Sequence, residues 1–547
     1  MSDIINAPIT IPADIEISVG PTGPTGATGP EGPIGPTGPA GADGSPYAVL
    51  YTAQTLTDAQ QLQGRDNLGA GKERVFNVED YGAVGDDATD NTVAINEAIR
   101  AANVAGGGIV FIPSGTYQLQ LPPVNFYAGY TVAAGGSGDP CLLLLAGVDL
   151  VGDGAAKTIL KLPFAHTSGL PALLQVVAQN NFEIRGLTFL GNNPGGTTFI
   201  SGENTAIDLQ DSCRLWTIKD CVIKNFANEG IDHDILAGDS PTVSLDGYGN
   251  LLQNVRFEDI GGSGMHGASG IIIERCHFKN VGVQRYNGAI AGEPGTSGSG
   301  AIDGTGHKTI ARDCEFYDCS RAWHIYVAPS GGVVRENSSF INCRVENTLG
   351  LALEVLAGTL DLVSGCYSEG GNPTLRGNRV FNSTIINDQS VAANYTIPVG
   401  IVFENCTLSY MSLVVTTSAL PCRIVGNNLT TNLTGSSINL GNNIDNVLID
   451  GNTITQLDSG LASGVAIGTN SPNTQTNIRI TNNYTTGGSR GARIKSNSIV
   501  SGNVFIGTLQ ESIRIDTDNN IVASNIVSTV SVNSGSNNTI ANEILAP

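Results

Sequence analysis

Apolar residues recur along most of the chain in a short unit whose copies begin about 20 to 38 residues apart. Each unit has an apolar residue, two polar residues, a cysteine or asparagine, one further residue and a second apolar residue. Examples are Ile218–Cys221–Ile223, Ile273–Cys276–Phe278, Phe403–Cys406–Leu408, Ile424–Asn427–Leu429, Ile449–Asn452–Ile454, Ile494–Asn497–Ile499 and Val522–Asn525–Val527. Variants of the unit lie between them, at Ile184–Leu187–Phe189, Leu252–Val255–Phe257 and Ala311–Cys314–Phe316. One unit cannot bury its own apolar face, but stacked units share a continuous core. The pattern therefore predicts an all-β solenoid.

Equivalent residues of successive units should stack into ladders with a rung spacing of about 4.8 Å. The prediction places five cysteines inside the solenoid as free thiols: Cys221, Cys276, Cys314, Cys366 and Cys406. It places four asparagines in a hydrogen-bonded ladder: Asn427, Asn452, Asn497 and Asn525. One cysteine per rung offers no CxxC pair of the kind that binds zinc, so we predict no metal site and no cofactor.

One helix is predicted ahead of the solenoid. Ile95, Ala98, Ile99 and Ala102 follow the spacing of an amphipathic helix, which can cover the open end of the solenoid. Residues 109–112 are predicted as the first core strand. The nearby acidic residues Asp86, Asp87 and Asp90 could suggest a metal, but turn and helix N-cap roles are favoured.

The sequence around this helix carries a family resemblance. The run Phe76-Asn-Val-Glu-Asp-Tyr-Gly-Ala-Val-Gly-Asp-Asp87 and the later run Gly106-Gly-Gly-Ile-Val-Phe-Ile-Pro-Ser-Gly-Thr-Tyr117 resemble the N-terminal module of pectate-lyase-like proteins. That resemblance implies a right-handed parallel β-helix over residues 76–547, with its N-terminal module at 76–119.

Glycine occupies every third position near the N-terminus. The positions are Gly20, Gly23, Gly26, Gly29, Gly32, Gly35, Gly38, Gly41 and Gly44, and proline usually follows. Only glycine fits the crowded axis of a collagen triple helix, so residues 20–46 are predicted to form one. A collagen helix needs three chains, and the chain is therefore expected to be a homotrimer. Residues 1–19 suit an attachment peptide.

A short helical neck is predicted over residues 47–75, between the rod and the solenoid. Within it, Thr55 to Gly69 looks like a capped helix and resembles a motif of bacteriophage tail fibres and tailspikes. Together with the rod and the β-helix, it implies a phage tailspike that is made in the host cytoplasm and belongs to the virion. Its N-terminus would attach to a tail or baseplate protein, and its β-helix would bind a host surface polysaccharide.

Charge and hydropathy exclude other classes of partner. The chain has 27 basic and 49 acidic residues, a net charge of −22, which disfavours nucleic-acid binding. The first basic residue is Arg65, so no signal peptide is expected. The longest apolar run covers residues 141–148 and is too short for membrane insertion.

The candidate chemistry lies in the middle of the solenoid. Eight residues after the second apolar residue of each unit, a third strand should begin, and its neighbourhood gathers acids, imidazoles, guanidinium groups and rings. We predict Asp232, Asp234 and His266 as catalytic residues. Asp232 and Asp234 share a strand face, at a spacing that favours an inverting glycoside hydrolase. His233 alternates with them and is expected to point inwards.

Six residues of the same face are predicted to bind substrate: Arg285, Tyr286, Arg321, Trp323, His324 and Tyr326. Aromatic rings would stack on sugars, and the arginines would bind an acidic sugar. An alternative chemistry is β-elimination on a uronic acid, with His266 or Tyr286 as base and Arg285 and Arg321 neutralising the carboxylate. A second alternative is a non-enzymatic receptor-binding fibre or adhesin that binds glycan without cleaving it.

Overall fold

A computed structural model of the protein describes the chain between residues 74 and 545, with gaps. The described ranges are 74–132, 140–162, 172–192, 205–211, 213–233, 249–282, 285–286, 289–290, 300–304, 308–325, 338–347, 353–355, 362–369, 379–387, 393–397, 402–415, 421–431, 436–441, 444–457, 465–468, 475–495, 497–508, 511–527, 532–533, 536–541 and 544–545. The predicted attachment peptide, collagen rod and neck helix lie outside these residues and stay predictions.

Two long parallel sheets run through the whole solenoid. The first consists of Val75–Asn77, Gly108–Ile112, Val148–Gly152, Glu183–Arg185, Thr217–Lys219, Asn250–Gln253, Ile271–Glu274, Ile310–Arg312, Ser339–Ile341, Leu362–Ser364, Arg379–Phe381, Val402–Glu404, Cys422–Val425, Ile444–Asp450, Gln475–Thr481, Ile499–Ser501, Ile521–Ala523 and Thr539–Ala541. The second consists of Asp86–Asp90, Gly115–Gln118, Thr158–Lys161, Thr188–Leu190, Val222–Lys224, Arg256–Ile260, His277–Val281, Glu315–Tyr317, Arg344–Glu346, Tyr367–Glu369, Thr384–Ile386, Thr407–Ser409, Asn428–Thr431, Thr453–Gln456, Tyr484–Thr486, Val504–Ile506, Ile526–Val527 and Ile544–Leu545.

Shorter sheets complete the rungs. A third sheet contains Leu142–Leu144, Leu174–Val177, Ile207–Gln210, Ile231–His233, Met265–His266, Ile302–Gly304, Trp323–Ile325 and Leu353–Val355. A fourth contains Ala393–Ile397, Met411–Val415, Ile438–Leu440, Val465–Gly468, Arg490–Ile494, Glu511–Ile515 and Val532–Asn533. Arg285–Tyr286 and Ala289–Ile290 form a small antiparallel pair.

The apolar positions of the repeat unit stack in register. Ile223 pairs with Phe189 on one side and Phe257 on the other, and Phe257 stacks on Phe278 with ring centroids 4.7 Å apart. These side chains are fully buried. Stacked inward residues therefore build one continuous core, which confirms the predicted all-β parallel β-helix.

The predicted helix is present as Thr92–Val104. Its stripe of Ile95, Ala98, Ile99 and Ala102 is fully buried against the first rungs, as predicted. A 3-10 turn, Val78–Tyr81, precedes it. Asp86 acts as a turn residue and accepts hydrogen bonds from the backbone N–H groups of Ala88 and Thr89. Asp87 instead pairs with Lys161 at 2.7 Å.

All ten cysteines are unpaired and buried, which confirms the predicted free thiols. Six of them lie where the first sheet turns into the second, and each of these six thiols points to a backbone carbonyl of the preceding rung. Cys314 donates to Ile273 O at 3.5 Å and Cys366 to Phe340 O at 3.4 Å, for example. Burial raises the pKa of Cys221 and Cys406 to about 12, so these thiols remain protonated.

An asparagine ladder continues the same corner in later rungs. Each side-chain amide donates to the next side-chain oxygen, in the order Asn427, Asn452, Asn483, Asn503 and Asn525, at 2.8–2.9 Å. The prediction was wrong for Asn497. That residue is exposed in a left-handed turn before its first-sheet strand, because the true unit of that rung is Val500–Asn503–Phe505.

Within the described parts of the chain, no helix has the length and apolar character needed to cross a membrane.

Candidate functional site

A column of polar side chains runs along the outer face of the third sheet. Register pairs Gln175 with Asp208, Asp208 with Asp232, and Asp232 with His266. Gln175 donates a hydrogen bond to Asp208 at 2.9 Å. Because parallel in-register strands stack like positions, polar groups from distant parts of the sequence become direct neighbours.

Strand alternation decides which side chains enter this column. Ile231 and His233 point into the core, whereas Asp232, between them, points outwards. The His233 Nε2 lies 3.1 Å from Cys213 O, and its ring packs edge-on against Trp216. His233 is thus the buried residue that the sequence predicted.

Glycines shape both ends of these strands. A Cβ on Gly230 would lie 2.6 Å from Gly264 O and 2.7 Å from the Phe257 ring, so only glycine fits between Glu229 and the strand Ile231–His233. After His266, Gly267 has a φ of +71°, and a Cβ there would lie 2.0 Å from His233 O. This left-handed residue ends the strand directly behind the imidazole.

Glu229, Asp232 and His266 form the centre of the column, and we call them the acid–imidazole cluster. The Nδ1 atom of His266 lies 2.8 Å from Asp232 Oδ1 and 3.7 Å from Glu229 Oε1. The exposed fractions of the side chains are 32% for His266, 24% for Asp232 and 15% for Glu229. The imidazole is accordingly the most accessible of the three groups.

The pKa values of the cluster are strongly shifted. Burial, followed by the charge of Asp232, raises the pKa of Glu229 to about 8. Burial also opposes ionisation of Asp232, but the hydrogen bond and charge of His266 outweigh it and lower the Asp232 pKa. Burial would lower the pKa of His266, yet its bond to Asp232 and the nearby carboxylates raise that pKa to about 10.

Asp303 extends the column beyond His266. It lies on the strand Ile302–Gly304, whose Ile302 pairs with Met265, and it is almost fully buried. Ser263 donates a hydrogen bond to Asp303 at 3.2 Å. The cluster thus has a further carboxyl group on the neighbouring rung.

The same three side chains have the reach to hold a divalent cation. One ligand atom from each of Glu229, Asp232 and His266 lies within 4.8 Å of the other two. A cation there would have to displace the proton that His266 holds against Asp232. The hydrogen-bonded arrangement fits proton transfer, with a donor, an acceptor and a fixed imidazole in contact.

The structure describes the positions of only some of the predicted site residues. It places Asp232 and His266 together on adjacent rungs, as predicted. Asp234 and Tyr326 lie outside the described residues. His324 follows Asp303 in register, but only its backbone is described.

Arg285 and Tyr286 are not in the third sheet. They lie in the small antiparallel pair, and the third-sheet strand of that rung is Ile302–Gly304. The prediction that a third strand begins eight residues after the second apolar residue of the unit failed in this rung. The reason is that the connection between Val281 and Ile302 is longer than the corresponding connections of neighbouring rungs.

Two predicted substrate-binding residues are buried. Trp323 is fully buried and packs against Phe340 with ring centroids 6.1 Å apart, so it offers no face to a sugar. Trp323 pairs with the inward-pointing residue Ile302. It therefore occupies the inward position that the count of eight residues from Phe316 assigns to His324, a difference of one residue in register. Arg321 is only 4% exposed and is likewise not a surface group.

Sequence reasoning left Glu229 out of the predicted catalytic set. Glu229 precedes the strand, so strand alternation gives no direction for its side chain. The available signal was its position three residues before Asp232, next to a glycine that permits close approach.

Two family profiles match parts of the chain. Residues 75–172 match "Rhamnogalacturonase A/epimerase, pectate lyase-like", and residues 205–408 match "Right handed beta helix region". The predicted right-handed β-helix is therefore confirmed, and the similarity to pectate-lyase-like proteins covers residues 75–172.

Curated relatives match a limited part of the chain. Mannuronan C5-epimerase AlgE1 of Azotobacter vinelandii is 34% identical over 163 residues, which are 29% of this chain and 11% of that protein. Alginate lyase 7 of the same organism is 34% identical over 144 residues, 24% of this chain and 15% of the relative. Among solved structures, the pre-mature gene product 12 of bacteriophage phi29 has a TM-score of 0.43 and 15% identity, covering 82% of this chain and 63% of that one.

Proposed function

We propose that this protein acts on a uronic-acid polysaccharide by removing the proton at C5 of the sugar ring, next to its carboxylate. The observation that carries the proposal is a largely buried carboxyl, Glu229, with a pKa of about 8, 3.7 Å from a charged imidazole that Asp232 fixes. A base works best when its pKa lies near the working pH, and Glu229 meets that condition.

Each residue of the cluster has a role in this reaction. Ionised Glu229 accepts the C5 proton, and the electron pair of the C–H bond is delocalised into the sugar carboxylate. The His266 imidazolium stabilises the charge that develops there. Asp232 is a positioning residue that holds the His266 ring and its proton. If the C4–O bond breaks, a C4–C5 double bond forms and the proton on Glu229 passes to the leaving oxygen, which completes an elimination. If a proton from solvent reaches the opposite face of C5 instead, the sugar is epimerised and Glu229 releases its own proton to solvent.

The spacing of the carboxyl groups favours proton abstraction over hydrolysis by this pair. Retaining glycosidases hold their two carboxyls about 5–5.5 Å apart and inverting ones about 6.5–9.5 Å, on either side of the bond. Ligand atoms of Glu229 and Asp232 lie within 4.8 Å of each other, and the two side chains are hydrogen-bonded. They therefore leave no room between them for a glycosidic bond and a water.

The names of the relatives agree with this chemistry. One is a mannuronan C5-epimerase and another an alginate lyase. Both reactions begin with loss of the C5 proton of a uronic acid. The matches cover 11% and 15% of those proteins, so the substrate of this chain is inferred from the cluster and its chemistry together.

For the whole protein, we propose a trimeric bacteriophage tailspike that binds and modifies a host surface polysaccharide. The Gly-X-Y register of residues 20–46 supports the trimer, and the β-helix offers a long surface on which a polymer can lie. The N-terminal peptide would attach to a tail or baseplate protein.

Purified full-length chain should be incubated with a panel of uronic-acid polymers and neutral glucans. We expect either unsaturated sugars, seen by ultraviolet absorbance, or C5 inversion, seen by proton NMR, with the uronic acids only. Reducing ends released without unsaturation would indicate hydrolysis and contradict the proposed chemistry. Tight binding without any product would indicate a glycan-binding fibre.

A further inference from the structure

A groove lies on the outside of the later rungs, where strands of the first sheet begin. Its volume is about 630 Å³. Four first-sheet residues form its floor: Arg423, Leu448, Arg479 and Ile499. None of them belongs to the acid–imidazole cluster.

Cationic and apolar residues alternate along the groove floor. Register pairs Arg423 with Leu448, Leu448 with Arg479, and Arg479 with Ile499. The two arginines are exposed. They are two rungs apart, about 9.6 Å at a rung spacing of 4.8 Å. An extended polysaccharide lying along the solenoid would place carboxylates of alternate sugars at a comparable interval.

Asparagine amides form one rim of the groove. Asn446, Asn477 and Asn497 line it from successive rungs, and all three are exposed. Their φ values are 60°, 55° and 55°, so each occupies the same left-handed turn. Amides combine donors and an acceptor, which suits the hydroxyl groups of a sugar.

Two guanidinium groups and two carboxylates carry the charge in and beside the groove. Arg423 lies 3.4 Å from Glu404. The carboxylate of Asp445 accepts hydrogen bonds from Thr476 at 2.6 Å and Asn477 at 2.7 Å. Among the residues that the structure describes, Arg479 has no ion-pair partner. A guanidinium group in this position is suited to a carboxylate.

We propose that this groove is a second binding site for an acidic polysaccharide, with a sugar carboxylate on Arg479 and hydroxyl groups on the asparagine rim. The inference rests on the proposed function, because it assigns the same class of polymer to both sites. Seven strand pairings of the first sheet separate the rung of His266 from that of Arg423, about 34 Å along the solenoid. The groove therefore holds long chains and has no effect on short ones.

The test compares the full-length wild type with Arg479→Gln and a matched control, Arg256→Gln. Arg256 is an exposed arginine on the second sheet, 58% accessible. Affinity for a long uronic-acid polymer is measured by calorimetry, and turnover is measured on the polymer and on a uronic-acid tetramer. We expect Arg479→Gln to weaken polymer binding about fivefold or more, as for loss of a charge-assisted hydrogen bond. Tetramer turnover should be unchanged in both variants.

Each outcome bears on one proposal. Unchanged polymer affinity in Arg479→Gln, with an active wild type, would overturn the groove. If Arg479→Gln weakened the binding of a neutral polymer to the same extent, the assignment of a sugar carboxylate to Arg479 would be overturned. Wild type without turnover but with Arg479-dependent polymer binding would instead contradict the proposed reaction and leave the groove supported. Asn477→Gly, which keeps the left-handed turn, should also weaken polymer binding.

Discussion

At the scale of single residues, the acid–imidazole cluster behaves as one electrostatic unit. Near neutral pH, Glu229 retains its proton, Asp232 is ionised and His266 is positively charged. Asp232 and His266 neutralise each other, which lowers the cost of burying both charges. Raising the pH to about 8 ionises Glu229 and adds a carboxylate beside the imidazolium. That change converts the cluster into a base next to a fixed positive charge.

Asp232→Asn tests whether the imidazole must be held. The substitution keeps the shape but removes the charge that stabilises protonated His266. We expect turnover to fall about 10²-fold or more, the pKa of His266 to drop, and the melting temperature to change little. The alkaline limb of the pH–rate profile, on which His266 loses its proton, should accordingly shift to lower pH.

Glu315→Gln is the matched control for that variant. It alters a histidine–carboxylate pair on the second sheet, where His277 Nδ1 lies 3.2 Å from Glu315 Oε2. Activity should be unaffected. A loss in Asp232→Asn that only follows a lower melting temperature would mark Asp232 as structural.

The raised pKa of Glu229 also predicts how stability depends on pH. The folded state binds this proton up to about pH 8, whereas the free side chain loses it near 4.5. Glu229 therefore stabilises the fold fully below about pH 4.5, and that contribution is lost as the pH rises to 8. Glu229→Gln should flatten the decline of melting temperature across this window. An unchanged slope would show that the Glu229 pKa is not raised.

At the scale of elements, the two corner ladders solve the same problem with different chemistry. Each thiol donates one weak hydrogen bond to the preceding rung, whereas each asparagine both donates and accepts. The sequence predicted both ladders because a corner residue is constrained by the repeat. It missed Asn483 and Asn503 and chose Asn497, because two asparagines of one rung cannot be told apart by spacing alone.

Asn483→Ala should destabilise the later rungs by about 1–3 kcal/mol, since it leaves buried donors without an acceptor. Asn483 accepts from the backbone and side-chain amides of Asn452 at 2.9 and 2.8 Å. Thermal unfolding measures the effect. Asn428→Ala, an exposed change in a nearby strand, should cost far less. Equal effects would contradict the ladder's role.

The third sheet shows where element prediction fails. Ile231 and Met265 begin their strands eight residues after Ile223 and Phe257, as the sequence predicted. The next rung inserts a long connection before Ile302, which moved Arg285 and Tyr286 out of the sheet. Inward strand residues are fixed by the core, but connection lengths at the surface are not. The core was therefore predictable, whereas the outer column was predictable only in part.

At the scale of the whole molecule, the collagen-like register predicts a trimer. Light scattering of the full-length protein should give about three times the chain mass of 56.5 kDa. Gly32→Val should lower the melting temperature of the rod, because no side chain fits its axis. Ile34→Val, at an outward position of a triplet, is the control. A monomer at micromolar concentration would contradict the prediction.

The pH dependence of kcat/KM on a uronic-acid polymer tests the central claim most directly. If Glu229 is the base, activity rises through about pH 8 and falls through about pH 10 as His266 loses its proton. Glu229→Gln should abolish this activity. Activity that instead falls as the pH rises through 8 would make Glu229 a proton donor and contradict the account.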